Sequence, residues 1–139
     1  MSDPAFTLDP RLDADTHPVG ELPLSTVRLM DDARFPWLIL VPKRVGLADL
    51  VDLSDEDAAI MNEEIRLASR VLRDLTSPYK LNVAALGNSV RQLHVHVIAR
   101  FDDDPAWPKP VCGVGTPATY DPATADTLIT RLRAGFGLA

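Results

Sequence analysis

From Gln92 to Val97 the chain alternates polar and apolar residues, and a period of two marks a strand with one buried face. Gln92, His94 and His96 then share one face, while Leu93, Val95 and Val97 point into a core. Residues 24–30 and 37–41 are two further strand-like runs, rich in β-branched and aromatic side chains. The turn-forming residues 31–36 between them predict an antiparallel hairpin. A fourth strand is expected over residues 79–86, returned antiparallel along the histidine strand by the short Gly87-Asn88-Ser89 turn. One long helix opens at Ser54, where a capping pattern precedes Asp55, Glu56 and Asp57. Its apolar face runs through Met61, Ile65, Ala68, Leu72 and Leu75, and it stops before Ser77-Pro78. A shorter helix begins at Asp121-Pro122, with Ala125, Leu128, Ile129 and Leu132 on its apolar side, and ends near Gly135.

Residues 1–23 carry four of the twelve prolines and read as an irregular arm with a short strand at 6–8. His17, ahead of Pro18, reads there as an exposed loop histidine. The elements sum to an α+β fold, an antiparallel sheet of about five strands carrying one long and one shorter helix. At 139 residues the chain is expected to be a single domain: arm 1–23, core 24–113 and C-terminal extension 114–139.

A hydrophobic content of 46% with 24% charged residues is ordinary for a globular protein. The net charge of -6 argues against nucleic acid as a partner, which would need a broad positive field. It leaves room for a single nucleotide, which needs only local donors. The lone Cys112 cannot form an intrachain disulfide, which favours a reducing compartment. With no long apolar run and an acidic N-terminus, the chain is expected to be cytoplasmic and to have no membrane partner.

Two of the three histidines fall on the alternating strand. Same-face residues on a strand are roughly 6.8 Å apart, so both rings can reach one small ligand. His94 and His96 could pair on a metal, or one could act as nucleophile or base while the other orients it. No third histidine stands nearby to complete a metal site, and the acid run Asp102-Asp103-Asp104 reads as a solvated loop. Upstream, Gly87 permits a tight turn, and Asn88 and Ser89 bring donors beside backbone N–H groups able to cradle an anion. That loop suits a phosphate better than a metal, and no cofactor is called for.

Ser89-Val90-Arg91-Gln92-Leu93-His94-Val95-His96-Val97-Ile98-Ala99-Arg100 resembles the signature of the histidine triad (HIT) proteins, His-φ-His-φ-His-φ-φ with φ apolar. The Val97-Ile98-Ala99-Arg100 tail sets the register: Gln92 stands at the first triad position, His94 at the central and His96 at the third. Gln thus replaces the first His, and Ala99 stands where Pro is common. Leu38-Ile39-Leu40-Val41-Pro42-Lys43 matches the family's strand ending.

The resemblance implies a nucleotide hydrolase or nucleotidyl transferase acting through a covalent nucleotidyl-histidine intermediate. His94 would attack the α-phosphorus, with His96 positioning the site and Gln92 assisting. Ser89, Asn88 and Asn82 would bind phosphate, and Asp31 or Asp32 the ribose. It further implies a homodimer with the sheets continuous across the interface. Because Gln92 cannot carry a proton as imidazolium does, substrates with good leaving groups are expected, such as dinucleoside polyphosphates or nucleoside phosphoramidates. The alternative is a nucleotide-binding module whose chemistry the Gln has weakened.

Overall fold

The computed structural model describes residues 3–138. Five strands, β1 (Thr16–Glu21), β2 (Ser25–Met30), β3 (Trp37–Pro42), β4 (Lys80–Ala84) and β5 (Val95–Arg100), form one antiparallel sheet. They lie in the order β1-β2-β3-β5-β4. The helices are α1 (Pro10–Asp15), α2 (Asp55–Thr76) and α3 (Pro122–Phe136). The expected α+β fold, an antiparallel sheet of about five strands with a long and a shorter helix, is therefore what forms.

Residues 16–21 depart from the expected irregular arm, because they pair with β2 as the outer strand of the sheet. Pro18 is tolerated at an edge, where no neighbour needs its missing N–H, and the register shifts between Pro18 and Gly20. His17, expected in an exposed loop, is paired with Leu29 and brings Nε2 within 3.0 Å of Asp31 Oδ1. The approach is close but is not a well-aligned hydrogen bond. Ahead of β1, the Asp9 side chain caps α1 by accepting from Arg11 N–H, with Pro10 at the first helical position. No strand forms at residues 6–8; Phe6 and Leu8 pack instead against Leu12, Trp37 and their neighbours.

Both faces of the central strands are covered, which explains why β3 and β5 are buried at every position. On one face Val27, Leu29, Leu38, Leu40, Val95 and Val97 meet Met61, Ala68 and Leu72 of α2 and Leu132 of α3. On the other, Trp37, Ile39, Val41 and Ile98 pack with Leu12, Phe35, Ala106 and Val111. The second layer is made of loops and α1 rather than solvent.

Ser54 caps α2 as expected, accepting from Asp57 N–H, while the Asp57 carboxylate turns to Arg44 at 2.7 Å. Glu64, on the otherwise apolar face of α2, is buried and accepts from the backbone N–H groups of Leu24 and Ser25 at 2.8 and 2.9 Å. One carboxylate thereby ties the β1–β2 turn to the helix. Asp104 corrects the reading of 102–104 as a wholly solvated loop. Its buried carboxylate takes a two-pronged bond from Arg100 at 2.8 and 3.0 Å. Arg100, Phe101, Ala106 and Arg100's charge hold the Asp104 carboxyl down at about 2 against the opposing effect of burial.

Candidate functional site

Strand β5 starts at Val95, because β3 ends its pairing there, opposite Leu40, and the chain before it bends away to give Leu93 N–H to Leu47 O. His94 thus lies just ahead of the strand and His96 within it. Their rings still converge, with centroids 4.9 Å apart and planes at 67°. Both side chains are about nine-tenths buried.

The partners of the two rings dictate complementary tautomers. His94 Nδ1 lies 2.7 Å from the Gln92 carbonyl oxygen. A carbonyl only accepts, so Nδ1 carries the proton and Nε2 keeps its lone pair. The Trp37 indole N–H donates to His96 Nδ1 at 2.9 Å. Indole only donates, so the neutral His96 ring has its proton on Nε2. Burial first, and then the charge of neighbouring His94, push the His96 imidazole down to about 4, so at pH 7 it is neutral. One ring offers a nucleophile and the other a hydrogen-bond donor.

Both rings line a cleft of about 580 Å³. Residues 86–90 form one side, with Gly87 in the left-handed conformation (φ 79°) that lets the loop turn. Asn88 and Ser89 face the cleft, and their side chains make no hydrogen bond among the described residues. Leu12 and Asp15 of α1 line it too, with Met30, Trp37 and Ile39. A second cleft of about 670 Å³ adjoins it, sharing Leu86, His96 and Cys112.

The fold brings His94, His96, Asn88 and Ser89 to one cleft, and it sets the other expected residues elsewhere. Asn82 lines the adjoining cleft and accepts from Arg100 Nη1 at 2.9 Å. The Gln92 side chain does not share the histidines' cleft, since the bend ahead of β5 turns it to the N-terminal arm. Asp32 is buried against Arg34 at 2.8 Å and accepts from Ala118 N–H. Burial works against its charge, yet Arg34 and the N–H groups around it keep its carboxyl below the usual range. Asp31 accepts from Tyr120 N–H at 2.9 Å and faces His17. Neither acid lines the cleft, whose carboxylate is Asp15. Burial, and then Asp32 and Asp31, push the nearby Tyr120 phenol up to about 12.

Sequence reasoning missed Asp15, Leu12 and Trp37. Asp9-Pro10 carries the same cap-and-proline cue that located α3 at Asp121-Pro122, so α1 was there to be found. Trp37 had no such signal, because its role depends on a pairing across β3 and β5. Among the described residues, no group of three or more His, Cys, Asp or Glu is arranged to hold a metal ion.

An antiparallel sheet that brings two imidazoles in opposite tautomers to one cleft beside a donor-rich glycine turn defines a protein with a histidine-centred site on an α+β fold. The chain belongs to the HIT family: the HIT domain profile matches residues 11–103. A histidine triad protein from Bradyrhizobium japonicum is 46% identical, with 96% of this chain and 99% of that chain covered and a TM-score of 0.93. One from Sinorhizobium meliloti is 44% identical over 94% and 97% of the two chains, with a TM-score of 0.92. A third, from Marinobacter aquaeolei, is 41% identical over 96% and 98%, with a TM-score of 0.93. No curated protein matches the chain.

Proposed function

We propose that the protein is a nucleotide hydrolase or nucleotidyl transferase in which His94 Nε2 attacks the α-phosphorus of a nucleotide. The observation that carries this reading is the His94 Nδ1 contact with the Gln92 carbonyl, which leaves Nε2 free and aims it at the cleft. In the first step a bond forms between Nε2 and phosphorus, and the leaving group departs with the electron pair. The resulting ring is cationic, and the Gln92 carbonyl supports its Nδ1–H. Water or another acceptor then attacks phosphorus, loses its proton to solvent, and returns the electron pair to Nε2. Nucleoside monophosphate is released when water is the acceptor.

His96 Nε2–H, Ser89, Asn88 and the loop N–H groups would meet the phosphoryl oxygens. A neutral His96 is a hydrogen-bond donor rather than a strong acid, so the leaving group must be good on its own. Dinucleoside polyphosphates and nucleoside phosphoramidates fit that requirement. Asp15, as the cleft's carboxylate, would accept from the ribose hydroxyls in place of Asp31 or Asp32. Asn82, on the adjoining cleft, would serve the departing group rather than the α-phosphate. The edge strand β4 exposes Val83, with Leu86 beyond it, and would pair with a second copy to make the homodimer.

Mass spectrometry of the protein mixed with an adenosine phosphoramidate tests the reading. A nucleotidyl adduct or released monophosphate is expected with wild type and not with His94→Ala. Full turnover by His94→Ala sinks the mechanism, and binding without product across several leaving groups leaves a nucleotide-binding module.

A further inference from the structure

The Gln92 side chain joins two distant parts of the chain. Its Nε2 donates to Thr7 O at 2.9 Å, and its Oε1 accepts from Asp9 N–H at 2.8 Å. An amide is the side-chain group that can give and take at once in this way, matching a backbone carbonyl and N–H two residues apart. Beside it, Arg11 Nη1 donates to Ser89 O at 2.8 Å, tying the same arm to the glycine turn. Arg11 already belongs to α1, which starts one residue after Asp9 and places Leu12 and Asp15 on the cleft wall. All of these contacts lie within one subunit.

An imidazole at residue 92 could not make both bonds. A neutral ring has one donor and one acceptor, but they point away from each other on either side of Cε1, whereas the amide presents its N–H and C=O nearly side by side. The residue that departs from the family pattern is therefore the residue that the arm requires.

We propose that Gln92 is a positioning residue: a latch that seats residues 7–11 and so holds α1 as the ligand-specific wall of the cleft. The inference rests on the nucleotide reading of that cleft. Through the latch, Gln92 governs how tightly ligand is held rather than how fast phosphorus is attacked. Its backbone carbonyl, which any residue supplies, remains on His94.

Hydrogen exchange over residues 7–12 and titration with adenosine monophosphate, on wild type, Gln92→Ala, Gln92→His and Arg11→Ala, test it. The Asp9 amide should exchange faster in both Gln92 variants. Affinity for the monophosphate should fall about tenfold, the order of one or two lost hydrogen bonds. Arg11→Ala should move both readings the same way. With a phosphoramidate substrate, KM should rise while kcat changes much less. Unchanged arm exchange, or a fall in kcat with KM and affinity held, overturns the latch. If wild type itself fails to bind the monophosphate, the nucleotide reading falls; if wild type binds and the variants bind equally well, the latch alone falls.

Discussion

A single indole hydrogen sets the tautomer of His96, while burial keeps the ring neutral. The ring is buried, and the unfolded chain would take up a proton near pH 6.5 whereas the folded one waits until about 4. As pH falls through that window the unfolded state binds more protons, so stability falls with it. The contribution is complete above about pH 6.5 and is lost by about pH 4, a total of roughly 3 kcal/mol. Urea denaturation at closely spaced pH values should show that decline, and nitrogen NMR should show a neutral His96 with its proton on Nε2 down to pH 5. Trp37→Phe removes the donor and leaves a buried ring nitrogen unsatisfied, at a cost of about 1–3 kcal/mol. In that variant His96 should titrate higher and lose its fixed tautomer. Both histidines were legible from the strand pattern and signature, whereas Trp37 was not, because its partner is 59 residues away in the chain.

Between elements, the closest approach with a sharp consequence is that of α2 and α3. A Cβ added at Gly135 would lie 2.9 Å from Val71 Cγ1, and a valine in a helix has little rotamer freedom with which to yield. Gly135→Ala would gain up to about 1 kcal/mol of helix propensity. Overpacking costs about 1–3 kcal/mol and wins. Thermal denaturation should place the variant below wild type, with Gly135→Ala and Val71→Ala together recovering most of the overpacking loss relative to Val71→Ala alone. At this scale the period-3.6 face of α2 and its Ser54 cap could be read from sequence. Residues 16–21 could not, because an edge strand broken by Pro18 and Gly20 gains its structure from β2 rather than from its own pattern.

Across the whole molecule, β4 is the unguarded edge. Val83 is half exposed there and Tyr79, ahead of the strand, is more so, while Lys80 supplies a single charge. If β4 pairs with its copy, light scattering should report a dimer for wild type and a smaller species for Val83→Lys. The charge would have to be desolvated against an apolar strand. A monomeric wild type at micromolar concentration would refute the pairing.

Local patterning alone located β2, β3, β4, β5, α2 and α3, the antiparallel β2–β3 hairpin, the caps at Ser54 and Asp121 and the glycine turn beside the histidines. Each depends on neighbours within a few residues, where side-chain period and backbone preference act directly. Tertiary structure decided which groups share the cleft. It sent Gln92 to the arm, Asp32 to Arg34 and Asp104 to Arg100. It also brought Asp15 to the cleft, and neither Asp31 nor Asp32, the acids expected at the ribose. A carboxylate or an amide looks alike in sequence whether it meets solvent, a ligand or a buried cation. Only packing removes its water and assigns its partner, so the chemistry of each such residue was settled by the fold.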